Sequence, residues 1–169
     1  MEMDQDSSAM VSAHTIKDSL RFAWCIEGRL AGSARPGRYG ELGADLLRLR
    51  GEGIGMIVNL CSQPLGVPAE MSEWFVELHE PVQDSEAPTF AQMDRIIAEV
   101  RAALDDGKRV LVHCRGGVGR TATVLAPLLI ALTGVSLDQA VSDLKKAGRF
   151  TQSMHQWEFL LKWSSRNGG

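Results

Sequence analysis

The most informative part of this sequence is the stretch Val110-Leu-Val-His-Cys-Arg-Gly-Gly-Val-Gly-Arg-Thr121. An apolar run ending at His113 predicts a buried strand, and the apolar residues from Gly119 to Leu132 predict a buried helix. The seven-residue turn that follows His113 contains three glycines (Gly116, Gly117 and Gly119), which permit positive φ angles and a close approach to a ligand. Successive backbone N–H groups and the helix N-terminus then point into one concavity, which favours a bound anion.

Two side chains give this concavity its predicted chemistry. Cys114 lies at its base and Arg120 at its rim, where a guanidinium can bind two oxygens of a tetrahedral oxyanion. Oriented amides, the helix dipole and Arg120 all favour the thiolate form of Cys114. A nucleophile beside a phosphate-shaped anion pocket indicates covalent catalysis through a thiophosphate intermediate.

The flanking segments alternate between strand-like and helix-like patterns. The predicted strands cover residues 22–26, 29–32, 56–60, 75–79 and 109–113, and the predicted helices cover about residues 42–49, 89–105, 119–132, 136–147 and 153–163. In the last helix we expect Trp157, Leu160, Leu161 and Trp163 to face the core. This alternation predicts an α/β fold, a single domain with a central, mostly parallel sheet flanked by helices.

Composition limits the classes of protein to which the chain can belong. With 169 residues, 44% of them hydrophobic, it fits one domain, in which 1–13 is a flexible tail and 14–169 the catalytic domain. A net charge of -3 argues against a nucleic-acid partner or a membrane surface. No apolar run approaches the roughly 18 residues of a membrane span, and no secretory signal is visible. Three cysteines (Cys25, Cys61 and Cys114) do not form a disulfide framework, which favours a reduced, cytoplasmic protein. We also expect a monomer without a stable membrane anchor.

The charges are unevenly distributed along the chain. Residues 70–106 carry ten acids against two arginines, or -8, and residues 107–169 carry nine bases against three acids, or +6. One interpretation is two solvated helical faces of opposite sign, and the other is that the basic part surrounds an anion site. Composition does not decide between these interpretations.

The glycine-rich stretch also carries a resemblance. His113-Cys-Arg-Gly-Gly-Val-Gly-Arg-Thr121 is similar to the signature loop of the cysteine-dependent protein tyrosine and dual-specificity phosphatases. Trp24, Gly28-Arg-Leu-Ala-Gly32, Pro36 and Thr123-Val-Leu-Ala126 further resemble the small atypical dual-specificity phosphatases, so the likeness extends over about 22–161. It departs from the family at Ala122, where glycine is usual.

The resemblance implies a tyrosine/dual-specificity phosphatase fold and a phosphomonoester hydrolase that needs no metal or other cofactor. In this family pattern Cys114 is the nucleophile, Arg120 clamps the phosphate, and Thr121 assists departure of the thiolate. The implied phosphate-binding loop consists of His113, Arg115, Gly116, Gly117, Val118, Gly119 and Arg120. A Gln or Asn in a later loop that positions the hydrolytic water is also implied, and both Gln152 and Gln156 are candidates.

The leaving oxygen of such a reaction needs a proton donor, because an unprotonated alkoxide or phenolate departs poorly. The segment Pro81-Val-Gln-Asp-Ser-Glu-Ala-Pro88 resembles the family's general-acid loop, and Asp84 precedes Cys114 by 30 residues. Asp84 is therefore the candidate general acid and Glu86 is its competitor. The alternative is that both are solvated loop acids.

Cys61 ends the predicted strand that is expected to lie beside the strand of Cys114. Its position resembles that of a second cysteine in a lipid phosphatase of this superfamily, which protects the oxidised nucleophile as a disulfide. Cys61 is therefore a candidate redox partner of Cys114. The alternative is that it is a small buried hydrophobic residue.

The resemblance implies a phosphorylated protein or peptide as substrate, with phosphotyrosine expected and phosphoserine or phosphothreonine as additional substrates. A phosphoinositide is the alternative substrate, although the loop supplies only one extra base, Arg115, with Val118 at the other position. Two other functions remain open, a rhodanese-like sulfurtransferase and a catalytically idle phosphoprotein-binding module. The loop from Pro81 to Pro88 favours the phosphatase over the sulfurtransferase.

Overall fold

The computed structural model describes residues 19–168, so the predicted tail over residues 1–13 lies outside the described part. The strands are β1 (Ala23–Ile26), β2 (Leu30–Ser33), β3 (Ile54–Asn59), β4 (Val76–His79) and β5 (Arg109–His113). The helices are α1 (Leu42–Gly51), α2 (Phe90–Asp105), α3 (Gly119–Thr133), α4 (Leu137–Lys146) and α5 (Met154–Arg166), and a short 3-10 helix covers Ala69–Trp74. Each of these strands and α-helices overlaps one that the sequence predicts.

The strands form a single sheet in the order β1-β2-β5-β3-β4. β1 pairs with β2 antiparallel, and the other three pairings are parallel, which confirms the prediction of a mostly parallel sheet. β5 lies at the centre, where both faces of the sheet are covered. This position explains why Val110, Leu111 and Val112 are all apolar, since a strand buried on both faces has no side for polar residues.

Two apolar clusters occupy the two faces of the sheet. Val110 and Val112 belong to the larger cluster, with the buried residues of α2, α3, α4 and α5, whereas Leu111 belongs to the smaller one, with Leu46 and Leu49 of α1. Successive strand side chains point to opposite faces, which produces this division. Helix α3 is buried along most of its length because it packs against β5 and against α2, α4 and α5.

The prediction that Leu161 faces the core is wrong, because 47% of this residue is exposed. The buried side of α5 carries Phe159 and Leu160, which lie four and three residues before the third buried apolar residue, Trp163. One helical residue corresponds to about 100° of rotation, so the residue after Leu160 points away from this side.

Within residues 19–168, no helix combines the length and the apolar composition needed to cross a membrane.

Candidate active site

The glycine-rich stretch forms a tight loop between the end of β5 at His113 and the start of α3 at Gly119. Gly117 has a φ of 76°, and a Cβ atom there would lie 2.6 Å from the Ser33 carbonyl oxygen and 2.7 Å from the Ala34 nitrogen. No other residue type fits this position, because both the backbone conformation and the neighbouring backbone exclude a side chain. The end of β2 therefore packs directly against the loop.

Cys114 lies at the floor of the pocket that this loop surrounds. It is only 3% exposed, and its Sγ atom accepts a hydrogen bond of 3.0 Å from the Thr121 hydroxyl. Thr121 is itself buried in the first turn of α3, so its hydroxyl is held against the sulfur. This contact therefore fixes the position of the Cys114 sulfur relative to the first turn of α3.

Arg120 and Asp84 approach each other at the mouth of the same pocket. The buried Arg120 guanidinium donates a hydrogen bond of 3.0 Å to the Val82 carbonyl, and its Nε atom lies 3.7 Å from Asp84 Oδ1. The Asp84 side chain is 79% exposed, so this ion pair adds little to the stability of the fold. The hydrogen bond to Val82 fixes the guanidinium relative to the loop that carries Asp84.

The structure separates the two acids that the sequence leaves in competition. Glu86 Oε2 lies 2.8 Å from His155 Nδ1, and Glu86 is absent from the pocket lining that includes Asp84 and Cys114. Ser85, which lies between Asp84 and Glu86, has a φ of 67°, a left-handed conformation that turns the chain. Asp84 therefore faces the pocket while the Glu86 carboxylate is held by α5.

Gln152 and Gln156 also have different surroundings. Gln152 lines the pocket with Cys114, whereas Gln156 is buried, accepts a hydrogen bond of 2.7 Å from the Gln152 backbone N–H and donates to the Glu86 carbonyl at 3.3 Å. A Cβ atom on Gly119 would lie 2.5 Å from Gln152 Oε1, so a glycine there lets the Gln152 side chain reach the loop. Gln152 is thus the glutamine at the pocket, and Gln156 supports the backbone around it.

His113 is fully buried behind the loop. Its Nδ1 atom lies 3.2 Å from the Cys114 carbonyl oxygen, which only accepts, so Nδ1–H is the donor. Burial lowers the pKa of His113 from 6.5 to about 3, assisted by the positive charges of Arg35 and Arg120 and opposed by the hydrogen bond to Cys114. The imidazole is therefore neutral at ordinary pH and orders the loop as a hydrogen-bond donor.

The three cysteines are free thiols. β3 ends at Asn59, which is paired with His113 at the end of β5. Cys61 and Cys114 therefore both follow the carboxyl ends of adjacent parallel strands. Cys61 is buried, and it lines a cavity whose walls include Arg120. The structure thus places Cys61 where the sequence predicts it, beside the strand of Cys114.

The sequence did not identify Arg21 and Tyr39 as pocket residues. Arg21 donates a hydrogen bond of 3.0 Å to the Gly116 carbonyl, and its guanidinium lies 4.8 Å from the centre of the Tyr39 ring. Neither residue belongs to a local motif: Arg21 precedes β1 and Tyr39 follows β2, so the folded chain and not the sequence spacing brings them to the site. The complete pocket has a volume of about 280 Å³ and is lined by Arg21, Tyr39, Asp84, Cys114, Arg115, Gly116, Val118, Arg120 and Gln152.

Comparison with known proteins assigns the family. A family model described as a polymorphic toxin system DSP-PTPase phosphatase matches residues 31–134, more than half of the chain. The chain belongs to the DSP-PTPase phosphatase family. This DSP-PTPase is also 32% identical to mouse dual specificity phosphatase 28 over 137 residues, which cover 80% of the chain and 82% of the mouse protein. The predicted resemblance to small dual-specificity phosphatases is confirmed.

Other relatives of this DSP-PTPase are longer than the region that they share with it. Cyclin-dependent kinase inhibitor 3 of Sus scrofa is 36% identical over 92 residues, which cover 52% of this chain and 43% of that protein. Rat dual specificity protein phosphatase 12 is 27% identical over 134 residues, which cover 76% of this chain and 39% of that protein. The chain therefore spans less than half the length of these relatives.

Solved structures agree with the predicted fold. Tk-PTP in its active form is 27% identical, with a TM-score of 0.72 over 86% of this chain and 97% of Tk-PTP. Human DUSP28 superposes with a TM-score of 0.73 over 88% of this chain and 96% of DUSP28, and at 23% identity this likeness shows the fold alone. The predicted α/β domain of the tyrosine/dual-specificity phosphatase fold is confirmed.

Proposed function

We propose that this DSP-PTPase hydrolyses phosphomonoesters of phosphoproteins, phosphotyrosine first and phosphoserine or phosphothreonine as well, through a phosphocysteine intermediate. One observation carries the proposal. The Cys114 sulfur accepts a hydrogen bond of 3.0 Å from Thr121 at the floor of a pocket whose mouth holds Arg120 and Asp84, 3.7 Å apart. A nucleophile, an anion clamp and a proton donor thus converge on one small volume.

In the first step the Cys114 thiolate attacks phosphorus in line with the leaving oxygen. An S–P bond forms as the P–O bond breaks, and Asp84, protonated at this stage, gives its proton to the leaving oxygen. Arg120 and the loop N–H groups bind the three equatorial oxygens, on which negative charge is concentrated in the transition state. His113 keeps the loop amides oriented through its bond to the Cys114 carbonyl.

In the second step water cleaves the phosphocysteine. Gln152 orients the water, and the Asp84 carboxylate takes a proton from it. The oxygen of the water then attacks phosphorus as the S–P bond breaks. The sulfur leaves as a thiolate, which the Thr121 hydroxyl stabilises from 3.0 Å. Asp84 ends the cycle protonated, which restores the starting state.

The choice of a protein substrate has support from two sources. Rat dual specificity protein phosphatase 12 bears the name of a protein phosphatase, and mouse dual specificity phosphatase 28 bears that of a dual-specificity phosphatase. The loop also places Val118, without charge, at the pocket, with Arg115 as its one extra base. A solved neighbour, PTPMT1 in complex with PI(5)P, shares 20% identity with a TM-score of 0.69, which shows the fold alone. A phosphoinositide is the alternative substrate to be tested.

Hydrolysis of p-nitrophenyl phosphate and of phenyl phosphate tests the roles of Cys114 and Asp84. We expect Cys114→Ser to lower kcat at least about a thousandfold on both, because the nucleophile is lost. We expect Asp84→Asn to lower kcat about a hundredfold on phenyl phosphate and much less on p-nitrophenyl phosphate, whose leaving group needs less protonation. Glu99→Gln is the matched control, because this exposed acid on α2 is absent from the pocket lining, and it stays close to wild type. Activity that survives Cys114→Ser would contradict the mechanism.

We further propose that the protein acts as a monomer in the reducing cytoplasm. There, Cys61 protects the Cys114 nucleophile against irreversible oxidation. Peroxide oxidises the Cys114 thiolate to a sulfenic acid, and the Cys61 thiol then attacks that sulfur, forms a disulfide and releases water. Their positions after adjacent strand ends support this pairing. Mass spectrometry without reductant after mild peroxide should detect a Cys61–Cys114 crosslink. Sulfinic acid at Cys114 with no crosslink would instead make Cys61 a packing residue.

A further inference from the structure

Arg149 carries a buried charge that the proposed mechanism does not use. It follows α4, which ends at Lys146, and only 3% of it is exposed. Its Nε atom has no hydrogen-bond partner in residues 19–168, and no carboxylate in that part of the chain forms an ion pair with it. A buried charge without such partners costs free energy, so the stability of the fold does not explain an arginine at this position.

The fold leaves a defined space for this guanidinium beside β2. A Cβ atom on Gly32 would overlap Arg149 Nε and would lie 3.0 Å from Leu125 Cδ1 of α3, so only a glycine leaves the room that the guanidinium occupies. Burial lowers the pKa of Arg149, and Cys25 and Cys114 oppose this effect. A guanidinium keeps its proton in proteins, so the enclosed side chain carries a full positive charge.

One hydrogen bond links Arg149 to the chain ahead of β1. Its Nη2 atom donates to the Arg21 carbonyl. Arg21 has a φ of 55°, a left-handed conformation that residues with a side chain rarely adopt. The neighbouring Leu20 carbonyl accepts from the Ala34 N–H at 2.9 Å, so the backbone at 20–21 is held from two sides. Arg149 therefore stabilises an unfavourable backbone conformation at Arg21.

In this conformation the Arg21 side chain reaches the catalytic loop. Its guanidinium lies 4.8 Å from the centre of the Tyr39 ring, and its Nη1 atom donates to the Gly116 carbonyl at 3.0 Å. The Gly116 carbonyl and the Gly117 N–H belong to one planar trans peptide and point in opposite directions, so a donor that holds the carbonyl also fixes the N–H. Two glycines flank this peptide, and no side chain of its own prevents it from rotating.

We propose that Arg149 is a positioning residue for the phosphate-binding loop. Through Arg21 it holds the peptide between Gly116 and Gly117 so that the Gly117 N–H faces the equatorial oxygens of the bound phosphate. A rotated peptide would instead present the Gly116 carbonyl, whose partial negative charge repels a phosphate. This role rests on the proposed function and deepens its phosphate site. It also explains why the chain contains a buried charge that lowers the stability of the fold.

The first test separates anion binding from stability in Arg149→Met, which keeps an apolar stem and removes the charge and the donor. We expect the dissociation constant of tungstate, a tetrahedral oxyanion, to rise about tenfold in calorimetry, and kcat on p-nitrophenyl phosphate to fall about tenfold, because one amide of the oxyanion site is misdirected. The free energy of unfolding should be no lower than in the wild type, since an unpaired buried charge is removed.

Arg101→Met is the matched control for this variant. Arg101 also donates a hydrogen bond from its guanidinium to a backbone carbonyl, that of Ala131 at 2.7 Å, but it does not line the catalytic pocket. Its tungstate affinity and its kcat should equal those of the wild type.

A double-mutant cycle tests whether Arg149 acts through Arg21. Arg21→Met removes the donor to Gly116, so Arg149→Met added to it should weaken tungstate binding by less than about a further twofold. A tenfold loss from Arg149→Met in both backgrounds would overturn the route through Arg21, because independent effects multiply.

The remaining outcomes separate this role from the proposed function. Unchanged tungstate affinity in Arg149→Met overturns the positioning role and leaves the proposed function intact. An Arg149→Met protein that does not fold, or that is less stable than the wild type, overturns it in favour of a structural role. Absence of Cys114-dependent hydrolysis in the wild type overturns the proposed function, whereas tungstate binding still tests Arg149 at the anion site.

Discussion

His113 makes the stability of the protein dependent on pH. Burial lowers its pKa from 6.5 to about 3, so in the folded state the imidazole stays neutral where the unfolded chain binds a proton. The unfolded state therefore binds more protons than the folded state between about pH 3 and 6.5. The contribution of the neutral His113 to the free energy of unfolding is therefore complete above pH 6.5. It is lost as the pH falls from 6.5 to about 3.

We expect the free energy of unfolding to fall by about 1 kcal/mol per pH unit from this residue alone, below about pH 6. Urea denaturation between pH 4 and 7 measures it, with His113→Asn as the comparison. Asn keeps a donor near the Cys114 carbonyl but does not titrate, so its curve should be flatter. Parallel curves for the two proteins would show that His113 is protonated in the folded state.

At the scale of elements, the N-terminus of α5 holds the loop that carries Asp84. The Ser153 hydroxyl donates to the Ser85 carbonyl, and the same oxygen caps α5 by accepting from the Gln156 N–H at 3.2 Å. Further contacts join Gln156 and His155 to Glu86. These contacts fix the backbone on both sides of Ser85 and thereby orient Asp84 towards Arg120.

Substitutions at Ser153 separate the capping role from this positioning role. Asp accepts from Gln156 N–H as a cap but cannot donate to Ser85, whereas Thr does both. We expect Ser153→Asp to lower kcat about tenfold on phenyl phosphate, because a displaced general acid transfers its proton poorly, with a small effect on p-nitrophenyl phosphate. Ser153→Thr is the control and should match wild type on both substrates. Equal losses on the two substrates would assign Ser153 a general structural role.

The elements themselves are largely predictable from the sequence, for identifiable physical reasons. β5 is a continuous apolar run over Val110, Leu111 and Val112 because it is central, and α2 begins after its N-cap Thr89, whose side chain forms a capping box with Gln92. The 3-10 helix over Ala69–Trp74 was not predicted, since it buries none of its residues and so leaves no apolar pattern. Leu161 was misassigned because it lies about 100° further round α5 than Leu160, outside the buried side that Phe159, Leu160 and Trp163 form.

The site is only partly predictable, and the division follows chain distance. Cys114, Arg120 and Thr121 lie within one loop and its helix, so their spacing alone predicts their contact. The choice between Gln152 and Gln156, and the arrival of Arg21 at the pocket, depend on the strand order β1-β2-β5-β3-β4 and on how α5 packs. The periodicity of the sequence predicts neither the strand order nor the packing of α5.

For the molecule as a whole, the distribution of charge in space differs from its distribution along the chain. The basic stretch from 107 to 169 supplies only Arg115 and Arg120 to the catalytic pocket and to the adjoining cavity that Cys61 lines. The other arginines there, Arg21, Arg35 and Arg38, belong to the part of the chain before residue 40. The site therefore carries a local positive charge that the net charge of -3 conceals.

The sign of a salt effect decides whether this local charge or the net charge governs the approach of an anion. Alkylation of Cys114 by iodoacetate, an anion, can be compared with alkylation by neutral iodoacetamide. If the arginines dominate, the ratio of the two rates falls as salt is added. We expect a fall of about tenfold as ionic strength rises from about 0.01 to 1 M, over which the Debye length shrinks from roughly 30 to 3 Å. If the net charge of -3 dominated, screening would remove a repulsion and the ratio would rise. Site-resolved mass spectrometry measures alkylation at Cys114 separately from the other cysteines. Cys25 should react slowly, because burial raises the pKa of its thiol to about 11 against the opposing effect of Arg149.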